Sequence, residues 1–373
     1  MSGHHSEAVS LKPIGKVAKF LKNLIPVNIP KSYVLKPMFK DVAGDEDIRK
    51  GILAFRDCLH LICDILISEG HLYAKPPKKP KSIDDYPFLH YLTNLLVDIG
   101  YHGELTESGD ALLLMDIPIF SSSIDEKGKI TKSKVPVSNQ MECLRFLNHC
   151  GFVLGGVDMN AKKLEISKEY PLEVSYPSNP LLLTGLRAIS IADMELRETR
   201  RYWNDNNLLR CDYRLLKAED TDMRDVLKDI LHPLPENLQE FAYKLHLHHV
   251  NMGMTCAISI RGDVHFGYAH IKKNRQGLSA QDVYSRRVWG FSISLKHGYC
   301  IVVRAKQTAK YADVIENFPL SLREVIAKGY GCDRKLHGEK CQGGCQGIRI
   351  LLDDSVLDIS EDIKTWLDIE AGF

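Results

Sequence analysis

The chain has 373 residues, more than one core of ordinary size organises, so two or three domains are expected. A hydrophobic share of 44% against 26% charged residues excludes a disordered chain, and 49 basic against 48 acidic side chains exclude a global field that would recruit nucleic acid or an anionic membrane. No apolar run approaches the roughly 20 residues that span a bilayer, and the start Met-Ser-Gly-His-His lacks the apolar core of a secretory signal. A cytoplasmic protein without a transmembrane segment is therefore expected, its ten cysteines mostly free and buried.

Residues 10–40 carry seven lysines and no acid, and Ile14, Val17, Ala18, Leu21, Leu24 and Ile25 recur at helical spacing. Residues 1–40 read as a basic arm for nucleic acid or a membrane face, or else as a helix that packs its apolar side on the body of the protein. Cut off by Pro26 and Pro30, this segment is expected to be dispensable for folding of the rest. From Asp47 to Glu69 the positions Ile48, Ile52, Phe55, Leu59, Ile62 and Leu66 predict a helix. The proline-rich Lys75–Lys81 cannot continue it and reads as a linker.

Two similar modules follow. Phe88–Ile99 predicts a helix stopped by Gly100, then a strand over Ala111–Met115; Met141–Cys150 predicts a helix stopped by Gly151, then a turn and a strand over Lys163–Ser167. Helix, glycine stop and hairpin is also the order of a winged-helix module. Pro180–Arg201 predicts a further helix, and Leu208–Leu216 alternates as a strand does. Arg197, Arg200, Arg201, Tyr202 and Trp203 offer cations and rings to a nucleic acid, although a helix C-terminus favours cations through its dipole alone. Asp220–Pro235 marks a boundary, so that 41–220 form a mainly helical region and 221–373 a C-terminal α+β domain.

In that last third Pro235–Gly253 predicts a helix, and Thr255–Arg261, His265–Ile271, Val288–Leu295 and Tyr299–Ala305 alternate as strands. Asp313–Lys328 reads as helix, Ile348–Leu352 as strand and Ser360–Glu370 as helix. The fold class is α+β: helical, winged-helix-like modules followed by a C-terminal antiparallel sheet packed with helices.

The runs Trp289–Tyr299, Phe318–Leu322, Lys328–Cys332, Cys341–Cys345 and Asp362–Leu367 resemble an uncharacterised bacterial family, whose last domain is similar to small YjbR-like α+β domains. The resemblance covers the final third and implies the fold class without bringing an activity.

Cys332, His337, Cys341 and Cys345 form the most concentrated set of metal ligands, in a loop where Gly338, Gly343 and Gly344 permit tight folding. Zinc suits three thiolates and an imidazole best; an iron–sulfur cluster, a redox thiol pair and unliganded loop cysteines are the alternatives. A second concentration is His246, His248 and His249, with Cys256 and His265 nearby. On a helix His246 and His249 share a face while His248 points elsewhere, and with no acid one turn away this reads first as a polar helix face. No nucleophile elbow, Walker loop or dinucleotide fingerprint occurs. Three functions stay in competition: a regulatory or nucleic-acid-binding protein with a structural or sensory metal site, a metal- or thiol-dependent enzyme using His265, His270 or the cysteine cluster in a pocket on the C-terminal sheet, and a protein-interaction module.

Overall fold

A computed structural model describes residues 13–76, 86–115, 122–124, 130–132, 137–162, 164, 169–199, 206–261, 263–271, 283, 285–305, 308–327 and 347–373. The protein is α+β, with antiparallel sheets, and divides into two compact units, Met1–Thr221 and Asp222–Phe373.

The first unit is built on helices α1 (Pro13–Lys22), α2 (Asp45–Ser68), α3 (Gly70–Tyr73), α4 (Pro87–His102), α5 (Val137–His149), α6 (Leu181–Thr199) and α7 (Asn206–Leu209). Three acids, Asp45, Glu46 and Asp47, open α2, where the positive end of the helix dipole favours them. Its stripe Ile48, Ile52, Phe55, Leu59, Ile62 and Leu66 is buried throughout, as the 3.6-residue period requires. Glycines let the helices of this core approach closely. A Cβ on Gly51 of α2 would lie 2.5 Å from the Leu181 carbonyl oxygen and 2.6 Å from the Gly185 nitrogen of α6. One on Gly100 of α4 would lie 2.7 Å from the Leu186 carbonyl oxygen.

Strands β1 (Glu104–Leu105), β2 (Ala111–Leu114), β5 (Val153–Gly155) and β6 (Leu172–Ser175) form one antiparallel sheet in the order β1-β2-β6-β5, while β3 (Ser122–Ile124) and β4 (Ile130–Lys132) pair with each other. Strands that follow α4 and strands that follow α5 thus share one sheet: β2 pairs with β6, residue Leu112 opposite Val174. The strand expected at Lys163–Ser167 falls on residues largely outside those described, as does most of the proline-rich linker.

The basic segment is part of this unit. Ile14, Val17, Ala18 and Leu21 of α1 are buried, and the buried run goes on through Leu24, Ile25, Ile29, Tyr33, Leu35 and Phe39 while Lys16 and Lys19 stay exposed. Backbone bonds then tie it to the end of the unit, Lys36 N–H to Leu216 O and Ala218 N–H to Val34 O, each at 2.9 Å. The helix that packs its apolar side on the body is what the structure shows, and this burial argues against the expectation that the segment is dispensable.

Leu208–Leu216 is not a strand. It is α7 followed by a 3₁₀ turn over Tyr213–Leu216, with Cys211 between them at φ +50°. Arg210, wholly buried, and Arg214 both pair with Asp212, at 2.8 and 3.1 Å. Burial alone would raise the Asp212 carboxyl, but the two guanidiniums outweigh it and hold its pKa below the usual range.

The second unit starts with α8 (Met223–Leu231), where the sequence suggests only a boundary; the Asp222 carboxylate accepts from the Arg224 N–H at 2.8 Å and caps it. Next come α9 (Glu236–Asn251), β7 (Thr255–Arg261), β8 (Asp263–Ala269), β9 (Trp289–Ser294), β10 (Gly298–Val303), α10 (Ala312–Ile315), α11 (Leu320–Ala327), β11 (Ile348–Leu351) and α12 (Ser360–Ala371). The single helix expected over Asp313–Lys328 is two, separated at Phe318-Pro319 because proline disfavours helical backbone in the residue before it. The five strands form one antiparallel sheet, β11-β10-β9-β8-β7. Cross-strand pairs Tyr268–Trp289, Phe266–Phe291, Trp289–Val303 and Val303–Ile348 put an aromatic and aliphatic set on one face, all buried.

Candidate functional site

Helix α9 buries Leu238, Phe241, Ala242, Leu245, His246 and His249. Two histidines therefore occupy positions of an apolar stripe, and both meet the aromatic face of the sheet. His246 Nδ1 lies 2.8 Å from the Tyr268 hydroxyl. The His249 ring lies 4.7 Å from Trp289, which in turn stacks on Tyr268 at 4.0 Å and nearly parallel. Burial lowers the pKa of both histidines, that of His249 to about 4, with the Leu245 carbonyl and Asp368 pulling the other way.

Asp368 comes from α12. Its Oδ1 lies 2.8 Å from His248 Nε2 and 3.3 Å from His249 Nε2, and its Oδ2 accepts from Lys364 Nζ at 2.9 Å. The three potential ligand atoms of His248, His249 and Asp368 all lie within 4.8 Å of one another. His249 Nδ1 stands 2.9 Å from the Leu245 carbonyl oxygen, which can only accept, so Nδ1 carries the proton. Nε2 of the neutral ring is then a bare lone pair. It is buried and makes no hydrogen bond, and the Asp368 carboxylate oxygen 3.3 Å away is another acceptor. Two lone pairs face each other in a place that a cation would fit.

The donor set fits a borderline metal ion. Two imidazoles and a carboxylate are ligands that zinc and its neighbours take, and an Nδ1–H bonded to a backbone carbonyl is the usual support of an Nε2 ligand. Zinc–ligand bonds of about 2.0–2.1 Å in a tetrahedron put ligand atoms about 3.3 Å apart. The His249–Asp368 separation matches; the His248–Asp368 pair, at 2.8 Å, would have to open by about half an ångström to admit an ion. Three such ligands would leave one position of a tetrahedral ion open, and His248 and Asp368 are only part-buried.

The structure brings together His248 and His249, whereas the sequence pairs His246 with His249; His246 bonds to Tyr268 instead. The acid missing one turn away on α9 is supplied by α12, 120 residues on from His248. His270 Nε2 contacts the Ala371 carbonyl oxygen at 2.8 Å, and His265 lines a separate cleft on the other face of the sheet. Cys332, His337, Cys341 and Cys345 lie outside the described residues, between α11 and β11; so do Arg200, Arg201, Tyr202 and Trp203 and the side chain of Arg197. Among the described residues the seven cysteines are free and six of them buried, as expected, and burial raises their thiol pKa values, for Cys58, Cys63 and Cys256 to about 12. They are not thiolate nucleophiles or ready metal ligands. Asp353 and Asp354 are turn residues, Asp353 capping a 3₁₀ turn through the Ser355 N–H.

No protein-family model matches the chain, and neither a curated protein nor a solved structure matches it.

Proposed function

We propose that the C-terminal unit is a metal-binding module in which His248, His249 and Asp368 hold one divalent ion of the zinc type, and that the protein is regulatory, the ion acting as its sensed ligand. The observation that carries this reading is His249: a buried imidazole whose Nδ1–H is committed to Leu245 and whose Nε2 lone pair points at a carboxylate with no donor between them. Asp368 already meets Lys364 and His248, so what stays unsatisfied is the buried His249 lone pair, and leaving that acceptor without a partner costs free energy that a bound cation would offset. An ion there ties α12 to α9, and the open fourth position suits reversible exchange better than a closed structural site does. In the same reading Cys332, His337, Cys341 and Cys345 form a second, thiolate-rich zinc site.

Cobalt(II) substitution tests both parts at once. Cobalt at the His/Asp site gives visible ligand-field bands without thiolate charge-transfer absorption, whereas cobalt at the cysteines adds strong near-ultraviolet bands. The reading requires the ligand-field bands to survive a Cys332→Ser/Cys341→Ser/Cys345→Ser chain and to vanish with His249→Ala. Bands that vanish in the serine chain and persist in His249→Ala would leave α9 and α12 without a metal.

A further inference from the structure

Beside the unpartnered Nε2 of His249 lies a second buried polar atom without a hydrogen bond, the indole Nε1 of Trp289. Trp289 of β9 is wholly buried. Two of its ring neighbours give the indole N–H no acceptor: Tyr268 lies parallel to it at 4.0 Å with its hydroxyl 2.8 Å from His246 Nδ1, and Phe291 carries no polar atom on its ring. A further neighbour is the His249 ring, 4.7 Å away and tilted by 59°. A buried donor and a buried acceptor thus sit on rings in contact without bonding to each other, and each is costly while it has no partner.

A bare ion would satisfy only half of this pair. It would take the His249 lone pair, but a cation offers an N–H nothing, so the indole needs an atom with a lone pair to spare. An oxygen bound to the ion is such an atom, because one lone pair goes to the metal and another accepts from the indole. The distances allow this. In a tetrahedral zinc site that oxygen stands about 3.3 Å from His249 Nε2, and an N–H donor lies about 2.9 Å beyond it. The two steps reach further than the 4.7 Å between the rings.

We propose that the ion at His248, His249 and Asp368 carries an oxygen ligand in its fourth position, a water or a carboxylate, and that the Trp289 Nε1–H holds that oxygen. Trp289 is then a positioning residue: it favours oxygen there over a ligand atom with no further lone pair, such as an imidazole nitrogen. The inference rests on the metal reading of this site and adds to it what completes the coordination.

The test follows the three indole N–H resonances of the nitrogen-15-labelled Cys332→Ser/Cys341→Ser/Cys345→Ser chain during a zinc titration. One of them should move downfield in step with zinc uptake, as an N–H that had no acceptor gains one, and should not move in His249→Ala. Added formate separates the two oxygen sources: a further saturable shift of that resonance identifies a carboxylate ligand, and no further shift identifies bound water. Zinc affinity should fall at least about tenfold in Trp289→Phe, the usual effect of removing the outer partner of a metal ligand. Should that variant fail to fold, the resonances of the unaltered ring decide the matter. Zinc taken up with no indole resonance moving downfield, or with unchanged affinity in Trp289→Phe, would overturn this inference and leave the metal site standing. The first of those results is also what a lone water bridging the two rings would give. No zinc uptake at all would overturn the metal reading and this inference with it.

Discussion

Stability of the second unit should fall on mild acidification, and His249, whose pKa is lowered furthest among its histidines, should contribute most. Its side chain is wholly buried and its pKa is about 4, against about 6.5 in an unfolded chain. Between those values the unfolded state binds the extra proton. The stabilisation is therefore complete above pH 6.5 and is lost progressively as pH falls through the window towards 4. Over the whole window the linkage is about 3 kcal/mol, and between pH 7.5 and 5 about 2 kcal/mol. For a unit of this size that is a drop of about 4–8 °C in melting temperature. Urea unfolding in the presence of a chelator, followed by tryptophan fluorescence, reads it directly, because Trp289 packs against the His249 ring. His249→Phe keeps a ring against Trp289 and removes the titration, so about 2 kcal/mol of the pH dependence should vanish. An unchanged pH slope in His249→Phe would refute the assignment of the proton to this residue.

Three further outcomes test the first unit. Gly51→Ala places a methyl group against the backbone of α6 and should cost about 3 kcal/mol or more in thermal unfolding, whereas an alanine at the open Gly109 costs only its positive-φ strain, about 1 kcal/mol. Asp212→Ala leaves the buried Arg210 without its carboxylate and should cost about 3–5 kcal/mol by urea denaturation; a loss below about 1 kcal/mol would show that the pair is not structural. Deleting residues through Lys40 removes the buried stripe of α1 and the hydrophobic residues after it and exposes the apolar surface they cover, so the truncated chain should melt without cooperativity or be insoluble; a sharp melt near that of the full chain contradicts the packing described.

Much of the fold was legible because periodicity reports burial. The stripe of α2, the helices α4, α9 and α12, and all five strands of the second sheet follow from spacing alone, to within a few residues. Leu208–Leu216 misled because its alternation arises from an irregular turn buried on all sides, with Arg210 and Asp212 neutralising each other inside, and periodicity cannot separate that from a strand. Helix α8 was hidden by charge: Val226, Leu227, Ile230 and Leu231 carry its apolar stripe, and four of the other five positions are the charged Arg224, Asp225, Lys228 and Asp229. At the candidate site the usable signal was that His246 and His249 fall on the stripe Leu238, Ala242, Leu245, where a polar side chain needs a reason. The identity of the partner was not legible, since only the tertiary fold brings Asp368 of α12 to His248 and His249.

Zinc binding to a chain that lacks the cysteine ligands tests the central claim most directly. A Cys332→Ser/Cys341→Ser/Cys345→Ser chain, stripped of metal and titrated with zinc, should take up one ion per chain with a saturable isotherm and rise in melting temperature as it does so. Adding Asp368→Ala or His249→Ala should abolish both the uptake and the rise, while His246→Ala, which loses the bond to Tyr268 and some packing but none of the three ligands, should leave one ion bound. Uptake that is absent in the serine chain, or that persists unchanged when His249 and Asp368 are both replaced, would contradict a metal site between α9 and α12.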